Sequence, residues 1–331
     1  MTQSQPQASL PLVILVPAYN DWESLRLLLP KIDAAMAGQG PAEMLVLDDG
    51  SIDPQPGELS PSLTNLSRIR VLELRRNLGH QRAICVGLSY VSENVPCSGV
   101  VVMDADGEDD PLDLPKLIGR FHQENHRKVV FAGRARRSES AAFRLFYAAY
   151  KLAHFILTGH RVEVGNFSVL PAMQLQRLVV VSELWNHFAA AIYSARIPYV
   201  IVPTARSHRL AGRSKMNFVA LVTHGLSAIS VFGERVGVRV LVTLSFLSGI
   251  VFLAIATTIG IRLYSGLAIP GWATYTTGLL VIILLQVLML ASIYIVLVLG
   301  SRQGAGFLPI RDYRYFCGRL RDLDPAPQFH G

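Results

Sequence analysis

Charge is scarce in this chain. Asp, Glu, Lys and Arg make up 17% of its 331 residues, against about a quarter in ordinary soluble domains. Apolar residues reach 51%, which points to contact with a membrane. Cysteine is scarcer still, at Cys85, Cys97 and Cys317. An odd, widely spaced set excludes a metal knuckle and reads as reduced thiols in the cytosol. Residues 1–9 carry no charged side chain. A basic n-region ahead of a long apolar run is therefore missing, and no signal peptide is expected. There is no internal repeat and no low-complexity tract. No Gly-x-Gly-x-x-Gly follows the first apolar run, which argues against a nicotinamide-binding domain. Gly-x-x-x-x-Gly-Lys-Ser/Thr occurs nowhere, which excludes a P-loop.

What is present begins with a net charge of +7. That favours anionic partners: nucleic acid, acidic lipid head groups or phosphorylated substrates. Apolar runs at 12–16, 44–47, 69–74, 98–103 and 129–132 predict strands. Leu25, Leu28, Leu29 and Ile32 recur at helical spacing and predict a helix over 24–36; 79–91 and 111–123 predict two more. This order implies an α/β fold with a mostly parallel sheet covered on both faces. Such sheets bind ligands beyond the C-terminal ends of their strands. The polar loops 17–20, 48–53 and 104–110 all lie there.

The loop at 104–110 is the most acidic. Asp104 and Asp106 are two apart, so an extended backbone would turn both carboxylates the same way. Hard oxygen ligands on a short loop suit Mg²⁺ or Mn²⁺. The other reading is a solvated acidic loop that caps the next helix.

Taken together, Val16-Pro-Ala-Tyr-Asn-Asp21, Leu47-Asp-Asp-Gly-Ser-Ile-Asp53, Arg76-Asn-Leu-Gly79 and Met103-Asp-Ala-Asp106 resemble the ordered motifs of family-2 glycosyltransferases. The resemblance implies a GT-A nucleotide-sugar-binding sheet domain. It also implies that Asp48 and Asp49, with Pro17, Tyr19 and Asn77 in the neighbouring motifs, hold the nucleotide. Asp104 and Asp106 would hold the metal on the diphosphate. Gly107-Glu108 departs from the Leu-Gln usual there, but Glu108 can still ligate a metal and is read as the third ligand. Arg134 and Arg136, after the fifth strand, are candidates to neutralise phosphates; a solvated basic edge is the alternative.

Gly165-Asn-Phe-Ser-Val-Leu170 resembles a segment of the polyprenyl-phosphate members of that family. Some of them have Asp at the position of Asn166. Asn cannot act as a base, but a lipid phosphate is already an anion. Ser168 stands where Arg is usual. His208-Arg-Leu-Ala-Gly-Arg-Ser-Lys-Met-Asn217 resembles the Arg-x-x-Gly-x-Ser-Lys loop of the same members. Arg209, Arg213, Ser214 and Lys215 are its candidate phosphate binders, the alternative being a basic surface loop. Asp106, Asn166 and Arg209 are the candidates for the catalytic positions.

The rest is apolar. Residues 141–158 combine a thin basic stripe with aromatic residues, fitting either an interfacial helix or a buried packing helix. Residues 218–232 are a second interfacial candidate. The uncharged runs 240–261 and 278–300 are each long enough, at ~1.5 Å per residue, to span a hydrocarbon core of about 30 Å. Arg235 and Arg239 precede the first run, and Arg302, Arg311, Arg314, Arg319 and Arg321 follow the second. The loop between has one basic residue, Arg262. The positive-inside rule then puts both termini in the cytosol.

The expected organisation is a cytoplasmic domain (1–215), a juxtamembrane helix (216–236), two transmembrane helices (237–300) and a basic tail (301–331) that packs on domain or membrane. The expected localisation is an inner, cytoplasmic membrane. The expected partners are a nucleotide-sugar donor, a polyprenyl-phosphate acceptor and the membrane, with no nucleic acid; a homo-oligomer stays open. The expected reaction is an inverting, metal-dependent sugar transfer. A processive polysaccharide synthase is a weaker fit, since two spans are few for a channel and Gln-x-x-Arg-Trp is missing. A non-catalytic membrane scaffold is the remaining alternative.

Overall fold

The computed structural model describes residues 10–55, 63–134, 151–159, 164–205, 207–212, 218–265, 271–303 and 306–323. The chain packs as two units. One comprises Met1–Tyr147, Val162–Val231 and Gly306–Gly331, the other Ala148–Arg161 and Phe232–Ala305.

The first unit is an α/β sheet domain. In order it contains β1 (Leu12–Ala18), α1 (Trp22–Ala35), β2 (Ala42–Asp48), β3 (Leu66–Leu74), α2 (His80–Asn94), β4 (Gly99–Val102), α3 (Leu114–Gln123) and β5 (Val129–Arg134). After residues 151–158, the helix α4 of the second unit, come β6 (Ser168–Pro171), α5 (Ala172–Leu178), α6 (Phe188–Ser194), β7 (Tyr199–Thr204) and α7 (Phe218–Ser230). The strands form one sheet in the order β7-β5-β6-β4-β1-β2-β3, with β8 (Cys317–Asp322) outside β3.

The apolar runs follow from burial on both faces. Every residue of β1 is buried. Ile14 and Val16 join Leu25, Leu28, Leu29 and Ile32 of α1 and Leu117 and Phe121 of α3. Val13 and Leu15 point the other way, to Ile84 and Leu88 of α2 and Leu175 of α5. Each such Leu or Ile contributes roughly 1.5–3 kcal/mol by leaving water. A buried carboxylate braces the α1 face. Asp33 accepts from the backbone N–H groups of Thr64, Asn65 and Leu66 at 2.8–3.2 Å. Burial alone would raise its pKa; the three amides and the Asn65 side chain outweigh it and hold it low.

The sheet is mixed rather than mostly parallel. β6 runs antiparallel to β4 and β5, and β8 antiparallel to β3. These strands escape a search for apolar runs for physical reasons. β6 has four residues, β8 is charged, and β7 contains Pro203. On an edge strand, a proline removes no ladder bond.

The segment after the long helices is part of this unit. Arg70 registers with Asp322 and Leu72 with Leu320. Tyr313 donates to Glu93 at 2.7 Å. Trp185 packs on Phe307 and Phe316, with ring centroids 3.9 and 5.1 Å away. Most of the basic tail is therefore the sheet's edge and its brace.

In the second unit, α8 (Gly233–Tyr264) and α9 (Trp272–Gln303) pack on each other. Both are long and apolar enough to cross a membrane. Phe246, Phe252, Leu285 and Val296 lie exposed on them, as expected where lipid is the solvent. Of the expected helix 141–158, residues 151–158 are helical and the remainder lies outside the described residues. The C-terminal turn of α4 has orphan carbonyls, and Arg239 of α8 donates to that of Ile156 at 2.6 Å.

Candidate functional site

Parallel register aligns the ends of three strands. Ala18 pairs with Asp48, and Leu15 with Val102. The loops after β1, β2 and β4 thus leave the sheet side by side, at its C-terminal edge.

The first two loops are laced together. Asn20 accepts from the N–H groups of Ile52 and Asp53 at 2.8 and 3.1 Å, and its own N–H donates to Ser51 Oγ. Asp48 accepts from Ser51 N–H at 2.9 Å. Asp49 reaches the next loop, accepting from Leu78 and Gly79 N–H at 2.7 and 2.9 Å. Asp49 is 3% exposed. Burial raises its pKa, with the two amides pulling the other way. Gly50, at φ +71°, lets this happen, because a Cβ there would sit 2.7 Å from Asn77 N. Asn77 and Tyr19 are exposed beside this crossing. Pro17 is not available to a ligand. β1 runs to Ala18, so Pro17 is a buried strand residue opposite Leu47.

The acidic loop departs from the expected geometry. β4 ends at Val102, and the backbone at 105–107 is a turn. The alternation that would have aligned Asp104 with Asp106 therefore does not apply. Among the described residues, no three His, Cys, Asp or Glu side chains form a ready metal cage. Asp104, Asp106 and Glu108 are thus not a preassembled triad. The loop is instead held from within. Asp109, 3% exposed, accepts from Asp104 N–H at 3.0 Å, Asp106 from Glu108 N–H at 2.9 Å, and Asp110 from Leu112 N–H at the following helical turn. The capping reading belongs to Asp110.

A segment distant in sequence closes on this loop. Leu210 N–H donates to Asp106 O and Ser207 N–H to Glu108 O, at 2.9 and 3.0 Å. Gly107, at φ +80°, leaves room for the Leu210 side chain, whose Cγ would lie 2.4 Å from a Cβ. The approach delivers Arg209. Its Nη1 donates to Asp106 Oδ2 at 2.9 Å, its Nη2 to Asp21 Oδ2, and its Nε to Ala211 O at 2.8 Å. A cation therefore already stands among the carboxylates.

On the other side of Asp104 lies a chain of amides. Phe188 N–H donates to Gln81 Oε1 at 2.8 Å, which orients that amide. Gln81 Nε2 then donates to Asn166 Oδ1 at 3.0 Å, leaving Asn166 Nδ2 to face His80 Nε2 at 2.9 Å. Asp104 Oδ1 lies 3.1 Å from the same nitrogen. The two contacts compete. The amide order requires a lone pair on His80 Nε2, hence the Nδ1–H tautomer. Partial desolvation opposes charging His80, whose side chain is still 41% exposed, but Asp104, Asp109 and Asp106 outweigh it and raise its pKa; protonation would switch the ring from Asn166 to Asp104. Ser168 is buried in β6, with its hydroxyl on Asn166 O.

The structure thus gathers Tyr19, Asp48, Asp49, Asn77, Asp104, Asp106, Glu108, Asn166 and Arg209 around the strand ends. Arg134 ends β5 opposite Thr204. Arg136, Arg213, Ser214 and Lys215 lie outside the described residues. The sequence by itself assigns no role to Asp21, Ser24, His80, Gln81 or Asp109. For three of them adjacency is a signal: Asp21 closes the first motif, and His80 and Gln81 follow Arg76–Gly79.

The chain is similar to several known proteins. CsbB of Bacillus subtilis (strain 168) is 27% identical over 292 residues, covering 85% of this chain and 84% of that one. An undecaprenyl-phosphate 4-deoxy-4-formamido-L-arabinose transferase of Klebsiella pneumoniae subsp. pneumoniae is 25% identical over 281 residues, covering 78% of each chain. Among solved structures, glucosyl-3-phosphoglycerate synthase of Mycobacterium tuberculosis in complex with Mn²⁺, UDP-glucose and phosphoglyceric acid aligns with a TM-score of 0.48 at 16% identity, over 70% of this chain and 81% of that one. The profile of Glycosyl transferase family 2 matches residues 13–179, just over half of the chain. With its GT-A sheet and strand-end loops, the chain belongs to glycosyl transferase family 2 and is a glycosyltransferase.

Proposed function

We propose that this glycosyltransferase moves a sugar from a nucleotide diphosphate to a polyprenyl phosphate at a membrane. The observation that carries the reading is Arg209, a cation lodged against Asp106 and Asp21 where three strand-end loops meet. Two carboxylates outnumber the one guanidinium they hold, which leaves negative charge for a metal cation, while the guanidinium itself suits a diphosphate. Mg²⁺ and Mn²⁺ are commonly held by one or two carboxylates plus substrate phosphates. Asp104 and Asp106 fit that donor set without a third protein ligand. Bound there, the ion would supply charge neutralisation for the departing diphosphate.

The chain's own residues do the remaining work. Asp48, with Tyr19 and Asn77 exposed nearby, faces the nucleoside. Asp49 organises the loops behind it. Arg209 and the basic residues after it take phosphates. The acceptor phosphate oxygen attacks the anomeric carbon, the bond from that carbon to the donor's phosphate oxygen breaks, and configuration inverts. No proton needs removal from an anionic phosphate, so Asn166 in place of an acid is no obstacle. The acceptor class is supported by the name of the Klebsiella relative and by the two apolar helices.

The test uses membranes holding the full chain, Mn²⁺ and undecaprenyl phosphate, with radiolabelled UDP-glucose first and other nucleotide sugars after it. Chloroform-soluble label that requires both metal and lipid phosphate is the expected product. Transfer to free sugar or protein at unchanged rate without the lipid would remove the acceptor assignment.

We also infer that α8 and α9 cross the membrane as a hairpin, with the sheet domain on the cytosolic side. β3 precedes both helices and β8 follows them, yet the two strands pair, which supports a hairpin whose two ends emerge on one side. A Tyr264→Cys variant is expected to react with a membrane-impermeant maleimide in intact cells, whereas the native cysteines are buried or, like Cys317, held unreactive by a thiol pKa of about 11. Labelling of that variant only after cells are broken would reverse the orientation.

A further inference from the structure

We propose that Asp21 is a positioning residue for Arg209, holding its guanidinium at the diphosphate end of the site when Asp106 is given over to a metal ion. The inference rests on the functional reading above. Asp21 occupies the N-cap of α1, where an Asp side chain ordinarily accepts from a backbone N–H of the first turn. Here it makes no such bond. Its oxygens are diverted: Oδ2 takes Arg209 Nη2, and Oδ1 accepts from Ser24 Oγ at 2.7 Å. Ser24 is fully buried, and its hydroxyl also lies 3.3 Å from the Ala211 carbonyl that receives Arg209 Nε. A helix cap has been forgone, and the freed carboxylate is fixed by a buried hydroxyl.

The geometry explains why one carboxylate would not suffice. Among the described residues Arg209 has three tethers: Asp106, Asp21 and Ala211 O. Asp106 Oδ2 carries Arg209 Nη1, so a cation taking that oxygen displaces one tether. Two then remain, and only Asp21 supplies opposite charge. Without it, a long side chain regains its rotamer freedom, and a guanidinium whose planar fork suits phosphate oxygens is no longer held in place.

The experiment is titration calorimetry of the full chain in detergent with UDP and with GDP, each with and without Mn²⁺. Asp21→Asn and Arg209→Ala are each expected to weaken Mn²⁺-dependent nucleotide binding about tenfold, and the double variant no further than Arg209→Ala alone, since residues acting through one contact are not additive. In the transfer assay, Asp21→Asn raises KM for the donor more than it lowers kcat. Asp21→Ser, able to cap α1, is expected to melt no lower than the wild type and to show the same loss. Unchanged binding in Asp21→Asn and Asp21→Ser, or a double variant that loses the product of the single effects, overturns the inference. A wild type with no Mn²⁺-dependent nucleotide binding overturns the functional reading instead, and this inference with it.

Discussion

Replacing Asp106 with Asn lowers lipid-linked product by about 10²–10³-fold, a transition-state loss of about 3–4 kcal/mol, the range for removing one preorganised electrostatic element. The substitution is nearly isosteric. The carbonyl oxygen of the new amide can still accept from Glu108 N–H, the bond that shapes the turn. What the variant loses is the negative charge that faces Arg209 and, in the proposed function, the metal. Melting temperature should therefore change little while metal-dependent nucleotide binding collapses. Undiminished transfer by Asp106→Asn membranes would eliminate the metal role of this residue.

Asp49→Ala has its large effect on stability. Two backbone N–H groups lose their acceptor, that of Leu78 in a buried place and that of Gly79 in a partly buried one. Each unsatisfied donor costs roughly 1–3 kcal/mol, so a total of about 3 kcal/mol is expected. For a domain of this size that is a fall of about 6–12 °C in melting temperature. Asp49→Asn is not a rescue, because its NH₂ would face one of the two amides. The pH dependence has a definite sign. Burial raises the folded-state pKa of Asp49 above its ordinary 3.8. Its contribution to stability is full below that ordinary value and declines as pH rises through the folded-state pKa. The gap between wild type and Asp49→Ala should narrow over that window. A variant that melts like the wild type but no longer binds nucleotide would show that Asp49 serves the ligand directly.

These two aspartates mark how far the residues could be read in one dimension. β1 and β2 were legible because a strand buried on both faces must be apolar throughout. The loops after them were legible because an α/β sheet offers ligands one edge. β6, β7 and β8 were not, since a four-residue strand, a strand with a proline and a charged edge strand carry no periodic signal. Pro17 fell inside β1 because strand ends are set by pairing, here with Leu47 and Asp48 on β2. Glu108 completes a triad only if the chain stays extended through Asp106; Gly107 at φ +80° ends that premise.

The sequence by itself determined the class of protein: the α/β order, the acidic and basic loops, the two apolar helices and the family they resemble. These are local properties, decided by composition and spacing within a few turns of chain. The tertiary structure decided partners. It assigned Asp49 to the start of α2, set Arg209 between Asp106 and Asp21 across nearly the length of the sheet domain's chain, and returned the tail to pair with β3. Contacts of that kind depend on which strands become neighbours. That is a property of the folded sheet, which no window of sequence contains.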